Sequence, residues 1–144
     1  MSPSVEAKQL VERYVAQWNE PDPTVRSKII RELWAPDGVH VLVDPPQAMR
    51  EAATALAFPV PPLEVRGHEA LDVRVAHAYT MFLASGEHFF EAASEPSVLL
   101  PHVIAFRWAM LTTGAREVVG GGLDVLALDD EGRIRSDHQY INAT

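Results

Sequence analysis

The first third of the chain has the hydrophobic periodicity of amphipathic helices. From Val5 to Trp18 apolar residues recur every three or four positions, which predicts a helix with one buried stripe. The members of this stripe are Ala7, Leu10, Val11, Tyr14, Val15 and Trp18. Asp22 followed by Pro23 is typical of an N-cap and a first helical position, so a second helix is expected there. Its predicted buried positions are Val25, Ile29, Ile30, Leu33 and Trp34.

Alternation replaces this periodicity after the Asp37-Gly38 turn signal. Val39 to Asp44 is predicted to be the first strand, with His40, Leu42 and Asp44 on one face. A short helix over 47–56 and the proline-rich run 59–62 are interpreted as a lid or flap. A third helix is expected over 68–83, ending near Gly86.

The second half of the chain has strand character. Four runs are predicted as strands, over residues 88–93, 99–111, 116–128 and 133–141. Thr113-Gly114 and Asp130-Glu131-Gly132 are typical of hairpin connections, so the last three strands should form an antiparallel meander. We therefore predict one α+β domain over residues 1–144, with N-terminal helices packed in a strongly curved antiparallel sheet.

Polar residues interrupt the apolar faces of these predicted strands. Alternation places His102, Phe106 and Trp108 on one bulky face. In the last strand it places His138 and Tyr140 inward, and the remaining alternate positions are interpreted as solvated. These solvated positions are Arg133, Arg135, Asp137 and Gln139. The other histidines are interpreted as surface or helix-flank residues: His40, His68, His77 and His88.

Asp124 is the most informative single residue. It is in register with Leu126 and Leu128, in a strand that is apolar on both faces. A carboxylate buried there needs hydrogen-bond partners or becomes neutral. Two interpretations stay open: Asp124 belongs to a functional site, or it accepts bonds from a nearby hydroxyl or backbone amide and only organises the core. The preceding glycines, 120–122, indicate either a bend in the sheet or a close approach of a ligand.

Composition argues against several classes of function. The formal net charge of -8, without a basic cluster, makes nucleic acid an unexpected partner. The chain has no cysteine, no apolar stretch of membrane-spanning length and no signal-peptide pattern, so a cytoplasmic protein is expected. No His-x-His, His-Glu-x-x-His or Gly-x-Ser-x-Gly motif occurs, and we predict neither a metal site nor an elbow-type serine hydrolase.

The order of several short motifs resembles that of a known superfamily. These motifs are Arg13-Tyr14 through Trp18-Asn19, Leu33-Trp34-Ala35, Val43-Asp44-Pro45, Arg66-Gly67-His68-Glu69-Ala70, and Gly122-Leu123-Asp124-Val125 through Ile134. Together they resemble the SnoaL-like branch of the nuclear transport factor 2 superfamily. The resemblance implies a cone-shaped barrel in which a bent sheet wraps a long helix and encloses a pocket, and it implies a homodimer.

The same resemblance implies site residues. Ketosteroid isomerase, a relative, uses a tyrosine of the first helix, an aspartate before a proline on the first strand, and a second aspartate on the strand before the final hairpin. The matching residues in this sequence are, in that order, Tyr14, Asp44 and Asp124. Asp44 would take a proton from carbon beside a carbonyl, while Tyr14 and a neutral Asp124 donate hydrogen bonds to the enolate oxygen. The segment between Asp44 and Arg66 is longer than expected for the isomerase. For a polyketide cyclase of this branch, the acid/base pair would be Asp124 with His138.

The leading hypothesis is a small-molecule acid/base enzyme, of isomerase or polyketide-cyclase type, acting on an apolar carbonyl-containing ligand without a cofactor. Its ligand-binding residues are predicted to be Trp18, Leu42, His102, Phe106, Trp108 and Tyr140. The alternative is a non-catalytic ligand-binding or dimerising module of the same fold. Epoxide hydrolysis would require an arginine between two carboxylates, and Arg107 lies on the face opposite Trp108.

Overall fold

The computed structural model of the chain describes residues 3–43 and 64–142. Asp44 and the predicted lid, with its helix over 47–56, lie outside the described residues. Within these ranges no helix is long and apolar enough to cross a bilayer.

The helices form where the periodicity predicts them. Helix α1 spans Pro3–Asn19, α2 spans Pro23–Leu33, and α3 spans His68–Ala78 and continues as a π-helical turn over Tyr79–Leu83. The N-cap of α2 is confirmed, because Oδ1 of Asp22 accepts a hydrogen bond from the backbone N–H of Thr24 at 2.8 Å. One predicted buried position is wrong: Val25 is 41% exposed.

The strands form one seven-stranded mixed sheet. Their bounds are β1 Trp34–Val43, β2 Glu64–Arg66, β3 His88–Ala92, β4 Ser97–Leu100, β5 Val103–Thr112, β6 Val118–Leu128 and β7 Ile134–Asn142. The order across the sheet is β2-β1-β7-β6-β5-β3, and β4 also pairs with β5. The predicted meander of the last three strands is confirmed. Over the described strands the sheet is not closed into a barrel, and its β1–β7 pair is parallel.

The predicted strand over 99–111 is in fact two strands. A turn at Pro101 and His102 separates β4 from β5, which then pair antiparallel with each other. Proline lacks the N–H that a continuous strand would contribute to the ladder, which favours a break at this point. His102 consequently lies in an exposed turn, and its predicted inward position is wrong.

A bulge in β7 reverses the predicted alternation of the last strand. Leu128 pairs with Ile134, whereas the preceding Ala127 pairs with Ser136, so Arg135 is an extra residue on β7. A one-residue insertion moves all later side chains to the opposite face. Asp137 and Gln139 are therefore buried, and the prediction that both are solvated is wrong.

The apolar core lies between the helices and the inner face of the sheet. Fully buried side chains from every layer meet there: Ile30, Leu33, Trp34, Leu71, Val75, Leu126 and Ile134. Helix α1 contributes Leu10, Val11 and Tyr14 to the same cluster. The inward stripe of α1 therefore faces β6 and β7, and this packing brings the polar group of Tyr14 to those strands.

Candidate functional site

Tyr14, Asp124 and Asp137 form a buried acidic cluster between α1, β6 and β7. The Tyr14 hydroxyl lies 2.7 Å from Oδ2 of Asp124 and also forms a short hydrogen bond with Oδ2 of Asp137. All three side chains are inaccessible, with Tyr14 2% exposed and both aspartates 0% exposed. Adjacent strands and a facing helix thus place two carboxyl groups on one phenol oxygen.

This arrangement requires one proton more than a tyrosine and two carboxylates would hold. A hydroxyl has a single hydrogen and can donate only one of the two bonds. The other bond must be donated by a protonated carboxyl group. Two carboxylates this close in a low-dielectric interior also repel each other strongly, which favours the same protonated state.

Asp124 is the better candidate for the ionised partner. Its Oδ1 accepts a hydrogen bond from Nε1 of Trp108 at 2.6 Å and another from Nε2 of Gln139 at 3.2 Å. The Trp108 ring can lie here because residue 122 is glycine: a Cβ at Gly122 would come within 2.6 Å of that ring. Burial raises the pKa of Asp124, and its hydrogen bonds oppose that rise.

Asp137 has the opposite environment and is the better candidate for the neutral acid. Its Oδ2 bonds to Tyr14, and its Oδ1 finds no hydrogen-bond partner among residues 3–43 and 64–142. Burial raises the pKa of Asp137 well above its usual value, and the nearby charge of Asp124 raises it further. The hydrogen-bonded chain is therefore Asp137 to Tyr14 to the Asp124 carboxylate, with Asp137 as the first donor.

His40 on β1 lies beside this cluster and is buried, 1% exposed, so the prediction of a surface position is wrong. Its Nδ1 lies 3.0 Å from Nη1 of Arg74. A guanidinium can only donate, so Nδ1 accepts and the ring proton is on Nε2. Burial and, to a smaller extent, the charge of Arg74 lower the pKa of His40 to about 3, while hydrogen bonding to Gln139 opposes this shift. His40 is thus a neutral donor whose Nε2 lies 3.7 Å from Oδ2 of Asp137 and has no acceptor within 3.5 Å among the described residues.

Three side chains that could bind a metal ion lie close together, but the proton on the histidine ring is on the nitrogen that would have to bind the cation. His40, Asp124 and Asp137 carry potential ligand atoms within 4.8 Å of one another. A histidine ligand must offer a lone pair to the metal, which here would require moving the ring proton from Nε2 to Nδ1. Nδ1 faces Arg74, which cannot accept that proton in a hydrogen bond. The local chemistry favours a neutral donor over a metal ligand.

The structure brings only some of the predicted site residues together. Phe106 packs edge-on against Tyr14 at 5.3 Å, Trp18 lies 6.2 Å from the same ring, and Trp108 bonds to Asp124. Leu42 is buried two residues after His40 on the same face of β1. His138 and Tyr140 are exposed on the other face of β7, so their predicted inward positions are wrong, as is that of His102. Asp44 is outside the described residues.

Sequence reasoning missed His40, Asp137 and Gln139 as members of this site. The alternation of β1 already placed His40 on the same face as Leu42, and this signal was sufficient to predict its burial. No comparable signal exists for Asp137 and Gln139, because the bulge that turns them inward has no marker in the local sequence.

Two cavities of the described residues lie along α1 and away from the cluster. One, of about 310 Å³, lies between Lys8 and the segment 92–96. The other, of about 780 Å³, lies between the first turns of α1 and the β6–β7 hairpin. Neither is lined by a residue of the acidic cluster. Next to the cluster, the side chains of Trp18, Phe90 and Trp108 are half-buried.

Comparison with solved structures identifies the architecture. A member of the SnoaL-like family from Agrobacterium tumefaciens, whose isomerase activity is only proposed, superposes with a TM-score of 0.74 at 21% identity, covering 96% of this chain and 98% of that one. A SnoaL-like protein of unknown function from Burkholderia thailandensis gives 0.64 at 14% identity, with 96% of each chain covered. This chain has the SnoaL-like fold.

The wider superfamily is also represented. A nuclear transport factor 2-like protein of unknown function from Exiguobacterium matches with a TM-score of 0.63 at 16% identity, over 94% of this chain and 99% of that one. No family model and no curated protein matches the sequence. At these identities the likeness concerns the SnoaL-like fold, and that fold hosts many unrelated activities.

Proposed function

We propose that this protein is a small-molecule enzyme of isomerase or cyclase type that moves protons on an apolar, carbonyl-containing ligand. The observation that carries the proposal is that one buried Tyr14 hydroxyl contacts carboxyl oxygens of both Asp124 and Asp137, an arrangement that needs an additional proton. Pairs of carboxyl groups held in different protonation states are a common basis of acid/base catalysis.

The cluster supplies the acid half of such chemistry. When a proton leaves the carbon beside a carbonyl, negative charge develops on the carbonyl oxygen. Asp137 is the neutral acid beside this oxygen, and it can protonate the oxygen when its hydrogen leaves Tyr14 for the ligand. The base in this proposal is Asp44, which the family resemblance suggests and which lies outside the described residues.

The surroundings of the cluster support an apolar ligand. Phe106 is fully buried against Tyr14, and Phe90 packs edge-on against Trp108 with ring centroids 5.6 Å apart. Aromatic side chains of this kind provide large apolar contact areas. The half-buried rings of Trp18, Phe90 and Trp108 are the proposed walls for the ligand body.

The experiment is exchange of α-protons of a simple ketone for deuterium, followed by proton NMR. 2-Indanone in buffered D₂O is the probe, with wild-type protein and the isosteric Asp137→Asn and Tyr14→Phe variants. Wild-type protein should accelerate exchange over buffer, and each variant should lose at least about 100-fold of that acceleration, the usual contribution of a general acid. Exchange at the buffer rate with wild-type protein, across several cyclic ketones, would contradict the proposal.

A second candidate function is ligand binding without catalysis. It is favoured by the fact that Tyr14 and Asp124 are already fully hydrogen-bonded within the protein and nearly inaccessible. In that case the ketone should bind and perturb the NMR signals of Trp108, while its α-protons exchange no faster than in buffer. The same experiment therefore separates the two candidates.

We also propose a homodimer formed through the outer face of the sheet. Outward-facing positions near the centre of β5 and β6 are mostly apolar and include Ala105, Leu123, Val125 and Ala127. Because this face is mostly apolar, contact through it keeps the charged side chains of the two copies apart, which limits repulsion between chains that each have a net charge of -8. Light scattering should give twice 15.9 kDa for wild-type protein and 15.9 kDa for Val125→Lys. The cytoplasmic location stays a prediction.

A further inference from the structure

Three buried polar atoms around the cluster have no hydrogen-bond partner within 3.5 Å in the described part of the chain. They are Nε2 of His40, Oδ1 of Asp137 and Nε1 of Trp18. His40 and Asp137 are 1% and 0% exposed, and the ring of Trp18 packs 5.6 Å from that of His40. An unpaired buried polar group costs about 1–3 kcal/mol, so such groups are rare in the core of a folded protein.

The protonation states of His40, Trp18 and Asp137 assign a role to each atom. His40 Nε2 carries a hydrogen, because Nδ1 accepts from Arg74. Trp18 Nε1 also carries a hydrogen, since an indole nitrogen is only a donor. Asp137 places its own proton on Oδ2 toward Tyr14, which leaves Oδ1 as an acceptor. The unpaired set is therefore two donors and one acceptor.

We infer that His40 and Asp137 form a subsite for the hydroxyl group of a neutral ligand, with Trp18 as an additional donor. The hydroxyl oxygen accepts from His40 Nε2, and its hydrogen is donated to Oδ1 of Asp137. The two side chains are close enough for one oxygen to bridge them, because Nε2 of His40 lies 3.7 Å from the other oxygen of the Asp137 carboxyl group. This inference rests on the proposed function in that the cluster faces the ligand, and it names the ligand class as alcohols, phenols or enols.

The charges and hydrogen-bonding groups of the site exclude the other ligand classes that two donors could recognise. A carboxylate or phosphate would place a second negative charge beside the Asp124 carboxylate, which is 0% exposed to solvent. A cation would face the Nε2 hydrogen of His40, whose position Arg74 fixes. An ether could accept from His40 but would leave Oδ1 of Asp137 unpaired, and a ketone satisfies both atoms only after it has become its enol. A hydroxyl group satisfies both atoms.

The test compares phenol with anisole. Anisole has a methyl group in place of the hydroxyl hydrogen that phenol would donate to Asp137. Dissociation constants are measured by NMR titration of wild-type, His40→Phe and Asp137→Leu protein. We expect wild-type protein to bind phenol about 10-fold more tightly than anisole, and both variants to lose this preference. Equal affinities in wild-type protein, or an undiminished preference in a folded His40→Phe variant, would overturn the subsite.

A second measurement does not depend on a variant that folds. The imidazole ¹⁵N resonances of wild-type protein report directly on His40, and saturation with phenol should shift the Nε2 signal while leaving Nδ1 nearly unchanged. An unshifted Nε2 signal at saturation would overturn the subsite, whether phenol binds elsewhere or a water molecule keeps the position.

Failure of this inference differs from failure of the proposed function. Ketone exchange that depends on Asp137, without a preference for phenol over anisole, leaves the enzyme proposal standing and removes the subsite. A preference for phenol that depends on His40, without ketone exchange in wild-type protein, removes the enzyme proposal and leaves the subsite standing.

Discussion

Two buried polar groups lie one helical turn apart on α1 and differ in how completely they are satisfied. At Gln17, Oε1 accepts a hydrogen bond from Nε1 of Trp34 at 2.9 Å, and Nε2 donates to the carbonyl oxygen of Tyr14 at 3.3 Å. Around the Tyr14 hydroxyl, by contrast, His40 and Asp137 each keep an unpaired atom. Both groups are equally inaccessible, so burial does not distinguish them.

Under the proposed function, this difference separates a structural group at Gln17 from a functional one around Tyr14. A satisfied buried pair fixes how its elements pack and offers nothing to a ligand. An unsatisfied group lowers stability, and proteins concentrate such local conflicts at functional sites. Substitutions at Gln17 should therefore affect stability, whereas substitutions at Asp137 should affect chemistry and binding.

The largest expected effect on stability is the acid sensitivity of His40. Its pKa is about 3 in the folded protein and 6.5 ordinarily, so the unfolded chain binds more protons between these values and stability is lost as pH falls through that window. The loss is up to about 5 kcal/mol at 1.36 kcal/mol per pH unit. It should disappear in His40→Phe, as measured by urea unfolding at pH 4, 5, 6 and 7.

The comparison between variant and wild type is essential here, because Asp124 and Asp137 titrate in the opposite sense. The difference between the two proteins isolates His40 from them. Parallel pH profiles for both proteins would show that His40 is not buried as a neutral ring.

The next largest effect on stability is expected at the hydrogen-bonded pair of Gln17 and Trp34. Gln17→Met should lower the free energy of unfolding by about 1–3 kcal/mol, since it leaves Nε1 of the fully buried Trp34 without an acceptor. Ketone exchange should be unchanged once the variant is folded. Denaturant unfolding and the exchange assay check the two parts, and a loss of exchange without a loss of stability would reverse the assignment of roles.

A smaller effect on stability is expected for Asp137→Asn, and its pH dependence is opposite to that of His40. The folded-state pKa of Asp137 is raised, so its contribution to stability is complete at low pH and is lost as pH rises from about 4 through the folded value. The variant removes this loss and should be more stable than wild type at pH 8, although exchange falls. Equal slopes of stability against pH above pH 4 would contradict a raised pKa.

The smallest effect is expected at His138, the residue that sequence alternation had placed inside. It is exposed, so His138→Ala should change the free energy of unfolding by less than about 0.5 kcal/mol and leave ketone exchange unaltered. A loss of exchange in this variant would favour the cyclase pair of Asp124 with His138 and would contradict the outward position.

The sequence determined the features that depend on near neighbours in the chain. The stripe of α1 fixed Tyr14 as buried, Asp22 fixed the start of α2, and the alternation around Asp124 placed its carboxyl group inside. These predictions succeed because helical and strand periods, caps and hairpin turns are set by a few consecutive residues. The family resemblance added the fold, and the superpositions confirm it.

Only the tertiary structure decided which residues accompany Asp124. The bulge at Arg135 depends on how β7 registers against both of its neighbours, β1 and β6, and this pairing spans distant parts of the chain. It turned Asp137 and Gln139 inward and His138 outward. The protonation of the cluster likewise depends on groups from α1, β1, β5, β6 and β7, because a pKa in a buried site is set by whatever folding brings within a few ångströms of it.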